Sequence, residues 1–143
     1  MAAQIIAIAD ALVDRLNNAP GWSQSFTAVR KYLPEYKLED MATLHVTVVP
    51  KATTNENIDR QRNEYLPQVD VAIQKRVDLS SNTAPDAMMQ LVDEFVSVLS
   101  EGPFTYADGR LIQVDNVPIF VPEHLHEWGQ FTSVLTCTFR VAA

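Results

Sequence analysis

The chain has 143 residues, of which 47% are hydrophobic and 20% charged, values that fit one folded core and exclude a disordered segment or two ordinary domains. Its formal net charge is −7, and the basic residues (among them Arg30-Lys31, Arg60, Arg62, Lys75-Arg76, Arg110 and Arg140) are scattered. This argues against a protein that grips nucleic acid by phosphate neutralisation, since counterion release needs clustered Lys and Arg. An acidic surface is compatible with DNA sliding past without sticking, and it is equally the default for a soluble bacterial protein.

The first element is predicted to be a helix. Ile5, Ile8, Ala9, Leu12, Val13 and Leu16 recur at three- and four-residue spacing, and Asp10, Asp14, Arg15 and Asn17 fall largely on the other side. The same acidic interruptions, with no basic leader, argue against a signal peptide or a membrane span at Met1–Leu16. Asn17-Asn18-Ala19-Pro20-Gly21 then supplies helix-stopping chemistry. Phe26–Leu33 reads as a strand closed by Pro34, and Leu44–Val49 as a clearer one ended by Pro50. Between them Glu35–Met41 is acidic and turn-like.

Lys51–Leu66 is polar with little periodicity and is expected to be a long loop, a kind of segment that is usually functional or mobile. Beyond Pro67, the alternation of Val69, Val71 and Ile73 with Asp70, Ala72 and Gln74 predicts a half-buried strand. Its pairing with Leu44–Val49 makes a long hairpin. A second helix is expected over Pro85–Leu99, with Thr83 or Ala84 at the cap and Asp86 at the positive end of its dipole. Its stripe of Met88, Leu91, Val92, Phe95, Val96 and Leu99 reads as core packing. Gly102-Pro103 ends it. Leu111–Val121 is expected to be a strand whose end Pro118 bends, and Phe131–Val141 a long strand with strict alternation. The order α-β-β-β-α-β-β lacks regular βαβ units, so the fold class is α+β: an antiparallel or mixed sheet of about five strands with two helices on one face.

Signatures of common chemistry are missing from the sequence: it holds no glycine-rich phosphate loop, nucleophile elbow or CxxC pair. The single cysteine, Cys137, forms no internal disulfide and sits in an alternating run, which favours a buried, inert thiol over a nucleophile. One cluster stands out, Glu123-His124-Leu125-His126-Glu127-Trp128. If that segment is extended, His124 and His126 point to the same side and bind one metal; if it is a turn or a short helix, it is an exposed loop or a subunit contact. Trp22 and Trp128 lie beside glycines and read either as interface anchors or as core plugs. The adjacent pairs Glu39-Asp40 and Asp93-Glu94 read as solvated faces, since neighbours on a helix splay about 100° apart.

Several segments together resemble the tail-terminator (tail-completion) proteins of long-tailed bacteriophages. Ile8-Ala9-Asp10-Ala11-Leu12-Val13-Asp14-Arg15-Leu16-Asn17 is similar to their first helix, and Phe26-Thr27-Ala28-Val29-Arg30 with Tyr32-Leu33-Pro34 to an early strand. Leu44-His45-Val46-Thr47-Val48-Val49-Pro50 and Val69-Asp70-Val71-Ala72-Ile73-Gln74-Lys75-Arg76 resemble the central sheet, and Phe131-Thr132-Ser133-Val134-Leu135-Thr136-Cys137-Thr138-Phe139-Arg140 the terminal strand. The resemblance spans nearly the whole chain and rests on structural strings; no catalytic signature is among them.

It implies a virion protein, made in the bacterial host cytoplasm, that forms a homo-hexameric ring on the tail tube and stops its polymerisation. The partners so implied are the tail-tube protein and a head–tail connector or neck protein. DNA passes through the ring without specific binding, and neither a cofactor nor a membrane is involved. Ring closure needs two different patches per subunit. From composition we place one at 51–66, with Arg60, Arg62 and Glu64, and the other at 122–130, with His124, His126 and Trp128. The alternatives are a neck or head-completion protein and a small metal-dependent enzyme built on His124 and His126.

Overall fold

The computed structural model describes residues 3–32, 42–57, 63–101, 105–116 and 120–142. In chain order they form α1 (Gln4–Asn18), β1 (Ala28–Arg30), β2 (His45–Asn57), β3 (Asn63–Arg76), α2 (Thr83–Glu101), β4 (Thr105–Tyr106), β5 (Gly109–Asp115), α3 (Pro122–Trp128) and β6 (Gln130–Ala142). The strands make one six-stranded sheet in the order β1-β2-β3-β6-β5-β4. It is mixed: β1 runs parallel to β2, and the other neighbours are antiparallel. The α+β class and the β2–β3 hairpin are as the periodicity predicts.

Register explains the two faces. Val46 pairs with Ile73 and Val48 with Val71, while Val71 pairs with Leu135 and Val69 with Cys137. Partners in a ladder share a face, so these residues form one apolar surface. Ile8, Leu12 and Leu16 of α1 and Met88, Leu91, Phe95 and Leu99 of α2 pack with that surface in a single buried cluster. Both predicted helices therefore lie on one face, and each fully buried Leu, Val or Phe contributes about 1.5–3 kcal/mol. Trp22 belongs to this layer as a plug. Its ring lies 4.7 Å from Phe95 and 5.1 Å from Phe26, and its indole N–H donates to the Leu16 carbonyl at 3.2 Å. The opposite face is polar, with Thr47, Ala72, Gln74 and Thr132 in its middle and Gln68, Asp70, Thr136 and Thr138 further along.

Four expectations need correction. Lys51–Leu66 is not a long loop: β2 runs on to Asn57 and β3 starts at Asn63, with 58–62 outside the described residues. The strand passes Pro50 through a bulge at Lys51. Pro50 is tolerated because, among the described residues, β1 covers β2 only from Val46 to Val48, so Pro50 stands on an edge. Pro67 lies inside β3, where the ladder to β6 is broken between Tyr65 and Gln68, as the missing proline N–H requires.

Second, β5 stops at Asp115 and not at Val121; Pro118 is outside the described residues. Third, a two-residue strand, β4, adds a sixth member. Last, the strand expected over Phe26–Leu33 spans only Ala28–Arg30 among the described residues, while 122–128 is a short helix, one of the forms expected of it, with Pro122 in its first turn. Gly129 closes it in the left-handed conformation at φ 61°, where a side chain is strained. The helix α2 begins earlier than expected, at Thr83, with the Asn82 carbonyl accepting from Asp86 N–H at 2.9 Å. The acidic stretch Glu35–Met41, with Leu33, Pro34, Gly102 and Pro103, lies outside the described residues.

Candidate functional site

The histidine cluster does not meet the condition a metal site sets on it. In α3, residues two apart sit about 200° apart around the axis, so His124 and His126 point in different directions. His124 is half-buried, its Nδ1 sharing a hydrogen bond with Thr132 Oγ1 at 2.9 Å, while His126 is exposed. Thr132 Oγ1 also accepts from Gln130 Nε2 at 2.9 Å within β6, so the His124 contact ties α3 to the start of that strand. His45, in β2, is close to Thr43 at 3.4 Å. Among the described residues no three His, Cys, Asp or Glu side chains gather as a metal set.

Cys137 is fully buried on the helix-covered face. Burial, with the negative charge of Asp70 adding to it, pushes its thiol from 9.0 up to about 12, so the thiolate a nucleophile needs is suppressed. The Tyr106 phenol is likewise pushed up, chiefly by burial.

Of the residues chosen for assembly, Arg60 and Arg62 lie outside the described residues. Glu64 lies in β3, and its carboxylate forms an ion pair with Arg140, whose Nε lies 3.2 Å away across the polar face. Trp128 ends α3. The two expected patches are thus the distal part of the β2–β3 hairpin and a short helix at the start of β6.

The geometry draws attention to different positions: the two margins of the sheet. On one side, β2 beyond Val48 has no further strand beside it among the described residues, and Lys51–Asn55 is exposed. On the other, β4 pairs only with Gly109 and Arg110 of β5, so among the described residues the outer edge of 111–115 has no strand beside it. These margins are unlike in sequence and lie at the same end of the molecule. Gln113 pairs with Thr138, Thr138 with Gln68, and Gln68 with Ala52; likewise Asp115 leads through Thr136 and Asp70 to Val49.

Each margin carries an apolar hollow. A groove of about 240 Å³ between α2 and β5 is lined by Val96, Leu99, Leu111, Ile112 and Val114, with Ile112 40% exposed. On the β2 side, a hollow of about 280 Å³ is lined by Ile5, Thr53, Tyr65 and Pro67, with Tyr65 42% exposed. Between the margins the polar face is bound by its own contacts. Thr136 Oγ1 donates to Asp70 Oδ1 at 2.7 Å, Gln68 Nε2 donates to Thr138 Oγ1 at 3.3 Å, and Lys51 Nζ lies 3.9 Å from Asp70.

Sequence reading missed the β2 margin because its residues look like loop: Ala52-Thr53-Thr54-Asn55 has no apolar face; on the β5 side a strand was expected, but nothing in Leu111–Asp115 marks it as an edge. The available signal was the threonine content, which suits an exposed strand. A further open groove of about 550 Å³ near the start of α2 is lined by Gln24, Lys75, Arg76, Asp78, Ser81 and Thr83. Asp78 there is held below the usual carboxylate range by hydrogen bonds from Ser80. No described helix is long and apolar enough to cross a membrane.

The sequence matches no family model and no curated protein. Among solved structures, a chain of the "Virion of native gene transfer agent (GTA) particle" is 15% identical. The likeness covers 99% of this chain and 96% of that one, at a TM-score of 0.47.

Proposed function

We propose that this chain is a virion structural protein of the tail-terminator kind, closing into a ring on the end of a finished tail tube. The ring halts tube growth and presents a surface to a head connector or neck protein. The observation that carries this reading is the pair of unlike open margins on one sheet. A head-to-tail ring needs two different surfaces on each subunit, whereas a two-fold dimer uses one surface twice. The resemblance of the helix and strand segments points the same way, and it implies six copies. A net charge of −7 suits a ring that DNA traverses without being held. The protein acts by binding, at the head–tail junction, and takes no cofactor. Arg60, Arg62 and Glu64 contribute to its contacts, as do His124, His126 and Trp128.

Light scattering of the purified chain across concentrations, with electron microscopy of isolated tail tubes, tests the reading. The expected result is a ring-sized species, or density added at tube ends. A chain that stays monomeric and never decorates tube ends refutes it, and decoration of capsid connectors alone reassigns the protein to the neck.

A further inference from the structure

Resting on the ring reading, we infer that the copies join by sheet continuation: the open edge of β2 in one copy pairs antiparallel with the open edge of β5 in the next. Three features of the margins support this and fix the register.

The first is polarity. β2 is antiparallel to β3, β3 to β6, and β6 to β5, so β2 and β5 run in opposite directions. A neighbour related by rotation about an axis along the strands therefore offers β5 antiparallel to β2, the arrangement with the better hydrogen bonds. The open backbone N–H and C=O groups of each edge then find partners that strands otherwise leave to water.

The second is the alternation of faces. Gln113 and Asp115 share the polar face with Thr138 and Thr136, as Ala52 and Thr54 do with Gln68 and Leu66. Val114 shares the helix-covered face with Cys137, as Thr53 does with Pro67. Only shifts by two residues keep every side chain on its own face. A level pairing sets Asp115 against Val49, directly beside the stretch that β1 occupies, and a shift towards β1 collides with it. A two-residue shift the other way clears β1 and sets Asp115 against Ala52, Val114 against Thr53 and Gln113 against Thr54. It also supplies the stagger that a closed sheet requires.

The third is side-chain complementarity in that register. Asp115 arrives beside Lys51, whose side chain is 48% exposed and holds Asp70 only at 3.9 Å. Thr53 arrives over Val114 at the groove that Ile112 flanks, so the exposed Ile112 gains apolar cover.

The experiment uses the full chain carrying Thr54→Cys and Gln113→Cys together, treated with a short bismaleimide under conditions where light scattering shows assembly. Both positions are exposed and the native Cys137 is buried, so the introduced thiols are the reactive ones. A denaturing gel is expected to show a ladder of multimers for the double variant and monomer for each single one. Assembly without that ladder overturns the pairing and leaves the ring reading standing. Dimers from Thr54→Cys alone also overturn it, because they report a two-fold contact. A chain monomeric at every concentration and on tube ends defeats both.

A second pair guards the register. Lys51→Glu and Asp115→Lys are each expected to raise the concentration for assembly several-fold, and the two together to restore it. Two additive losses in the double variant, with circular dichroism unchanged throughout, refute the Lys51–Asp115 contact.

Discussion

Ile8 of α1 packs close against Gly109 at the start of β5, and replacing that glycine with alanine tests the packing of that corner. A Cβ there meets Ile8 Cδ1 at 2.7 Å, Ile8 Cγ1 at 3.2 Å and Phe139 Cβ at 3.4 Å. Carbon atoms are at ease about 3.5–4.0 Å apart, so the first contact is well inside the repulsive range. Ile8 and Phe139 are both fully buried, so neither side chain has solvent to swing into. Overpacking of this kind costs about 1–3 kcal/mol. Restricting the unfolded chain returns about 0.4–1 kcal/mol, because alanine has less freedom to lose than glycine. The net expectation for Gly109→Ala is a loss of about 1 kcal/mol. Ile8→Val removes the clashing Cδ1 and alone costs about 0.5–1.5 kcal/mol. In combination the two losses should fall short of their sum by about 1 kcal/mol, since the valine makes room for the new methyl. Urea unfolding followed by circular dichroism, with a constant slope across the four proteins, measures the cycle. Strict additivity, or a Gly109→Ala chain as stable as its parent, refutes the reasoning.

Asn17 acts as a one-residue strand partner for Ala28: its Oδ1 accepts from the Ala28 N–H at 2.7 Å and its Nδ2 donates to the Ala28 carbonyl at 3.1 Å. Asn17→Ala leaves both groups of a buried residue unpaired and should cost about 1–3 kcal/mol, with Asn17→Asp, which keeps only the acceptor, in between; equal stability in urea refutes this. The buried Cys137 thiol should resist a thiol reagent at pH 8 until denaturant is added. Because its folded pKa is raised, from 9.0 to about 12, its stabilising share is complete below pH 9 and fades as pH climbs toward 12. Over that window the parent should lose up to about 1.4 kcal/mol per pH unit more than Cys137→Ala, and parallel alkaline unfolding curves contradict the assignment. Finally, amides of 52–55 on the open side of β2 should exchange quickly in dilute monomer and become protected on assembly. Exchange unchanged by assembly rules out strand pairing there.

The parts of the fold that were legible are those with a buried side. Leu12 and Leu16, or Met88 and Phe95, repeat at helical spacing because one stripe of each helix faces the sheet, and Phe131 to Phe139 alternate because one face of β6 does. The helix α1 ends at Asn18 as its stop residues predict. What stayed illegible was backbone pairing without burial. Thr53, Thr54 and Asn55 are exposed, so no periodicity marks them, and their strand conformation comes from pairing with Tyr65, Leu66 and Pro67 on the other arm of the hairpin. Pro50 and Pro67 read as strand ends because a proline lacks an N–H; one stands at an edge and the other in a gap in the ladder, where that loss is tolerated.

The same blindness bears on the site. Sequence patterns flag rare residue types, so attention fell on His124, His126 and Trp128, whereas an open sheet edge is made of backbone and has no residue signature. A strand held on one side and bare on the other gains little from apolar burial to set against an ordering cost of about 1–2 kcal/mol per residue. Proteins that keep such an edge to themselves usually protect it with a charge, a proline or a bulge. The β2 margin has all three, at Pro50 and Lys51, but only at its end next to β1; from Ala52 to Asn55 it is unguarded. The guards thus stand where a pairing strand must stop, and the bare stretch lies where Gln113 to Asp115 of a neighbour would run. On the ring proposal, the devices that blunt an edge also set its register, and the polar segment that looked like a loop is the part of the chain most shaped for contact.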